Sequence, residues 1–103
     1  KTNSPLTNLS NETIKETGFS LYQNFPNPFN PSTEIKFEIS KKAQVKISVF
    51  DILGKEISKL VNKEFNQGTY TIEFKGDNLA SGIYFYKIEV NEFTQMKKMI
   101  LMK

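Results

Sequence analysis

The chain has 103 residues, enough for one modest hydrophobic core, and its 38% hydrophobic and 24% charged content excludes a disordered tail. It holds no cysteine and no histidine, which removes disulfides, thiol nucleophiles, the usual zinc sites and the side chain best suited to proton transfer near neutral pH. The net charge of +3 rests on 14 basic residues that are all lysine, so the guanidinium fork preferred for phosphate and base recognition is missing.

Residues 1–18 are polar and rich in Asn, Ser and Thr, with only Leu6, Leu9 and Ile14 as scattered apolar positions. They read as a linker or the tail of a preceding domain, with the domain itself spanning 19–103. Asn11 is a cap candidate for one helical turn ending at Glu16, but no apolar stripe supports a helix there. Asn8 and Asn11 match the glycosylation pattern and read as coincidence. The start has no signal-peptide core, and no apolar run approaches the roughly 18 residues of a membrane helix, so an export signal is expected upstream.

From Phe19 onward the apolar period changes to two, the mark of strands with one wet face. The segment 21–31, LYQNFPNPFNP, carries three prolines and three asparagines around two phenylalanines. Each proline fixes its own φ and lacks an N–H, so a stiff crossover poor in hydrogen bonds is expected, pinned to the core by Phe25 and Phe29. Ile35, Phe37 and Ile39 alternate with Glu34, Lys36 and Glu38, and Val45, Ile47 and Val49 alternate with Lys46 and Ser48. A turn follows around Leu53 and Gly54, in which Asp51 is expected to cap its own backbone. The slip in apolar parity from Ile57 to Leu60 and Val61 predicts a bulge or an edge strand.

Gly68 opens a further strand with Tyr70, Ile72 and Phe74 on one face. Gly82 opens another, apolar on both faces from Ile83 to Tyr86, which predicts a central strand. Gly54, Gly68 and Gly82 are read as turn glycines. About seven short strands with no helical period predict an all-β, immunoglobulin-like antiparallel sandwich, with a small barrel as the alternative.

The strings LYQNFPNPFNP at 21–31, DILGKEI at 51–57, GTYTIEF at 68–74, LASGIYFYKIEV at 79–90 and KKMILMK at 97–103 closely resemble the type A C-terminal sorting domain of the type IX secretion system. Their order and spacing follow that family over residues 19–103. Phe74 and Lys75 depart from it where Trp and an Asp or Asn are more usual, Gly76 keeps the Gly, and Met96 stands where Thr is frequent. The resemblance implies a Gram-negative bacterial protein that transits the periplasm. It further implies recognition by an outer-membrane secretion translocon, removal by a sortase-like peptidase, and a cargo that is secreted or held at the cell surface and is often a hydrolase or adhesin. The chain also has some likeness to the immunoglobulin-like part of flagellar hook-capping proteins.

The module itself is read as non-catalytic, with no cofactor, metal, small-molecule substrate or nucleic-acid partner. Carboxylates fall on wet strand faces among lysines and form no glycosidase pair or calcium loop. Tyr84, Phe85 and Tyr86 resemble a stacking platform but are weighed as core residues. The alternative function is an accessory module of a secreted hydrolase, binding polysaccharide or spacing domains. Two segments are candidate recognition sites. One is the motif loop of Asn24, Pro26, Asn27, Pro28, Phe29, Asn30 and Pro31. The other is the final run of Lys97, Lys98, Met99, Ile100, Leu101, Met102 and Lys103, which serves as last strand, as presented signal, or as the means of a strand-exchanged homodimer.

Overall fold

The computed structural model describes residues 18–103; the helical turn weighed at Asn11 and the two glycosylation motifs lie outside them. Seven strands follow one another: β1 (Phe19–Leu21), β2 (Ser32–Ile39), β3 (Ala43–Phe50), β4 (Glu56–Phe65), β5 (Gly68–Lys75), β6 (Gly82–Val90) and β7 (Phe93–Leu101). They form two antiparallel sheets, β1-β2-β5 and β4-β3-β6-β7, packed as an immunoglobulin-like sandwich. The predicted central strand, β6, lies inside the larger sheet beside β3.

Alternation sends Ile35, Phe37 and Ile39 from one sheet against Val45, Ile47, Val49, Tyr86, Ile88 and Val90 from the other, all at most 1% exposed. At about 25 cal/mol per Å² this burial is the main force holding the sheets together. Tyr70 and Ile72 are only half-buried because β5 is an edge strand, while Phe74 is buried and meets Phe29 edge to face at 6.1 Å. Phe for Trp at position 74 therefore keeps the aromatic anchor. At the opposite end of the core, Phe37, Phe65 and Tyr70 form a three-ring cluster with centroids 4.8–5.5 Å apart.

The parity slip in β4 is a bulge: Ile47 faces Val61 but Ser48 faces Lys59, so Leu60 is the extra residue. Asp51 accepts hydrogen bonds from the amides of Leu53 and Lys55 at 2.9 Å each, and Gly54 takes φ 86°, a region open to glycine at little cost. Gly68 and Gly82 are not in turns; they are the first residues of β5 and β6, paired with Ile39 and Leu101.

Three expectations need correction. Phe25 is 80% exposed rather than buried; Asn24 next to it is turned inward, so alternation sends the Phe25 ring outward. The strand β7 starts at Phe93, well before the apolar run at 99–102, because a two-residue turn at Asn91 and Glu92 pairs Val90 with Phe93. The wet-face charges do not alternate throughout: Glu34 lies directly across from Glu73.

Register places the 22–31 loop, the 51–55 turn, the 76–81 loop and the end of β7 at one end of the sandwich. Both candidate segments meet there.

Candidate recognition site

The proline-asparagine loop is not poor in hydrogen bonds. Prolines 26, 28 and 31 lack an N–H, but Phe25 and Phe29 between them keep theirs. Phe25 and Glu34 exchange both backbone bonds at 3.0 Å. The Phe29 amide donates to the Ile100 carbonyl, and the Met102 amide donates to the Phe29 carbonyl, each at 2.9 Å. The loop thus runs parallel to β7 and closes the upper part of its free edge. Two side chains add to this joint: Asn27 Oδ1 accepts from the Ile100 amide at 2.9 Å, and Gln23 Nε2 donates to the Lys98 carbonyl at 2.7 Å.

A buried polar network fixes the loop from beneath. The Tyr86 hydroxyl donates to the Tyr22 carbonyl and accepts from the Asn24 amide, both at 2.7 Å. Asn24 Nδ2 donates to Thr33 Oγ1 at 2.9 Å and to the Pro26 carbonyl at 3.1 Å, and Thr33 Oγ1 donates to that same carbonyl at 2.8 Å. Asn24 and Thr33 are 2% and 1% exposed, so these bonds replace the water both would otherwise require. Burial pushes the Tyr86 hydroxyl up to about 12, because the phenolate would lose its hydration. Tyr22 at the rim is also raised, chiefly because its hydroxyl donates to Glu38 at 3.0 Å.

The final segment divides into inward and outward parts. Met99 and Leu101 are fully buried, Ile100 is half-buried, Lys98 is exposed, and Met102 is 57% exposed. Lys97 is half-buried. Lys103 is held in place: its ammonium donates to the carbonyls of Asp77 at 2.6 Å and Leu79 at 3.0 Å, and its amide donates to Ser81 Oγ at 3.0 Å. In the loop Asn24 and Phe29 are buried, while Pro26, Asn27, Pro28 and Asn30 form the exposed ridge above them and Pro31 is half-buried. Gly76 permits the close approach of these parts, since its amide donates to the Pro31 carbonyl at 2.8 Å and a Cβ would stand 3.0 Å from Leu101 Cδ2.

The site therefore unites loop and strand, and leaves out Gly54 and Gly68. Gln23, Thr33 and Tyr86 complete it and were not singled out as site residues from sequence. A buried tyrosine requires a partner for its hydroxyl, and that requirement was the one available clue to Tyr86. Among the described residues no group of three or more His, Cys, Asp or Glu side chains is placed to hold a metal ion.

A family model described as the secretion system C-terminal sorting domain matches residues 23–102. The chain belongs to this family. Both halves of the joint, from Gln23 to Met102, fall inside the match. The sorting domain is similar in fold to part of dimeric latent PorU from Porphyromonas gingivalis, with a TM-score of 0.64 at 19% identity. That likeness covers 81% of this chain and 9% of the other. No curated protein sequence matches the chain. The sorting domain directs a protein into type IX secretion and is not itself catalytic. A protein bearing it is exported, to the medium or the cell surface.

Proposed function

We propose that the sorting domain is read by the outer-membrane translocon through the composite of the 23–31 loop and the end of β7, and is afterwards removed by a sortase-like peptidase. The observation that carries this reading is the backbone joint between Phe29 and residues Ile100 and Met102, which merges the two motif-bearing segments into one surface. Exposed Asn27, Pro28, Lys98 and Met102 supply its contacts, while Met99 and Leu101 anchor it. Recognition of a preformed surface avoids the ordering cost that a free tail would incur. On this reading the cargo crosses the periplasm before this step.

Less supports an accessory binding module. Tyr84 and Tyr86 are 8% and 0% exposed, so the Tyr84-Phe85-Tyr86 run offers no flat platform for a sugar.

The test is secretion of a cargo fused ahead of the domain. Replacing Lys98 with Gln, or Met102 with Gln, both at exposed positions, is expected to lower the amount in the medium. The melting temperature should stay close to that of the parent, because exposed substitutions of this kind change stability by about 0.5 kcal/mol. Normal export of both variants would overturn the composite surface as the recognition site.

A further inference from the structure

An edge strand shows a row of unpaired backbone groups, and folded domains ordinarily blunt it by shortness, bulges, charge or a cover. The two sheets end in the edge strands β1, β5, β4 and β7. Three of these carry such a device: β1 has 3 residues, β4 shifts register twice against β3, and the loop closes the upper part of β7. The strand β5 carries none. It pairs with β2 over all 8 of its residues without a shift, and it holds no proline.

The direction of its free groups follows from the other side of β2. Glu34 exchanges both its backbone bonds with Phe25, so the odd-numbered residues of β2 are those that bond β5. Their partners are Gly68, Tyr70, Ile72 and Phe74. Thr69, Thr71, Glu73 and Lys75 therefore turn their N–H and C=O away from β2, and all four side chains are exposed. Beneath this row the seam between the sheets is open. Tyr70 and Ile72 on β5 and Ile57, Leu60 and Val61 on β4 are half-buried, and a cavity of about 260 Å³ lined by Ile57, Phe74 and Leu79 parts the two strands at their upper end.

The edge is complementary to itself. When a second β5 is set antiparallel across a two-fold axis, with Ile72 facing Ile72, Thr71 meets Glu73 and Thr69 meets Lys75. Each of these pairs exchanges both backbone bonds, and no like charges stand directly opposite. On the inner side Tyr70 meets Phe74 and the two Ile72 side chains meet each other, so apolar groups left half-buried in one copy gain cover. Neighbouring registers are poorer. Moving the axis to Glu73 sets two carboxylates against each other, and moving it to Thr71 leaves Lys75 beyond the pairing.

We propose that two copies of the sorting domain pair β5 with β5 in this register, joining their three-stranded sheets into one continuous sheet. The strand β7 stays in its own copy and the loop-strand joint is not used. This dimer is therefore distinct from one formed by strand exchange, and it does not rest on the recognition site proposed above.

The chain has no cysteine, so a single introduced one reports a single contact. Residues facing each other as Ile72 does lie about 4.5 Å apart at Cα, within reach of a disulfide. Ile72→Cys is expected to form a disulfide-linked dimer roughly tenfold faster than Glu92→Cys, at an exposed position in the β6–β7 turn. Sedimentation of the parent should show a monomer–dimer equilibrium that reverses on dilution. Thr71→Pro removes an N–H that bonds nothing in β2, so the variant should keep its melting transition and yet be monomeric. A parent that stays monomeric into the millimolar range would overturn the proposal, as would dimerisation of Thr71→Pro equal to the parent's or equal crosslinking of the two cysteine variants. Hydrogen exchange identifies any other occupant of the edge. The Thr71 and Glu73 amides should gain protection as concentration rises. Protection independent of concentration would assign the edge to a segment of the same chain, and protection gained only at residues 93–98 would move the contact to β7; either result overturns the pairing of β5 with β5.

Discussion

Tyr86 is the residue on which loop and core depend most directly. Its ring is fully buried and its hydroxyl satisfies both the Tyr22 carbonyl and the Asn24 amide. Replacing it with Phe keeps the ring but strands two buried backbone groups, an expected loss of about 1–3 kcal/mol measurable by denaturant unfolding. The pH dependence has a definite sign. Tyr86 is pushed up to about 12 from 10.0, so folding favours the protonated phenol. That contribution is complete below pH 10 and is lost as pH rises from 10 toward 12. The Phe variant lacks the group, so its stability should fall less steeply than the parent's across that window, with the lysines common to both. Gly76 offers a second test. A methyl group there meets Leu101 Cδ2 at 3.0 Å, and Leu101 is fully buried and has little room to rotate away. Gly76→Ala is expected to destabilise by about 1–2 kcal/mol, again read from the unfolding midpoint.

At the scale of elements, β7 serves the core and the exposed surface together. Removing residues 97–103 deletes Met99 and Leu101, both fully buried, and uncovers Phe29. At about 1.5–3 kcal/mol for each buried side chain, the loss approaches the whole stability of about 5–15 kcal/mol typical of a domain. Truncation is therefore expected to abolish both export and the cooperative melting transition of the domain, which calorimetry would show. Export failure after truncation then reports folding, whereas Lys98→Gln, at an exposed position, reports contact. The strands that sequence made plain are those with a strict apolar alternation: β2 and β3 show it without interruption, and even the β4 bulge appears as a slip between Ile57 and Leu60. The first half of β7 could not be seen that way. Its inward positions include Gln95 and Lys97, half-buried but polar, so the strand is set by the Asn91 turn and backbone pairing rather than by an apolar pattern. The joint between loop and strand was hidden for a different reason. It links residues 73 and 75 positions apart through side chain to backbone bonds, which no local period records. Phe25 misled because its spacing from Phe29 suggests a shared inward face, while the bridge to Glu34 turns its ring to solvent.

At the scale of the whole molecule, β7 is an edge strand of the four-stranded sheet whose upper part the loop covers, and it is the strand that two copies would exchange. The final strand of one copy can replace that of another only after leaving both β6 and the loop. The upper part of β7 is bonded on two sides, by the ladder to β6 and by Phe29, Asn27 and Gln23. The barrier to exchange is therefore set by the loop as much as by the ladder. In the exchanged dimer each copy rebuilds the same bonds, so the equilibrium is governed by concentration and the rate by how readily the strand opens. Asn27→Ala removes one bond from the loop side and leaves the inward residues Met99 and Leu101 untouched. The variant is expected to reach its dimer fraction faster than the parent at equal concentration, with little change in the final fraction. Light scattering coupled to size exclusion, sampled over days at several concentrations, checks both quantities. A parent that forms dimer as fast as the variant would show that the loop does not gate the strand. A strict monomer in both, across the full concentration range, would remove strand exchange from the behaviour of this domain.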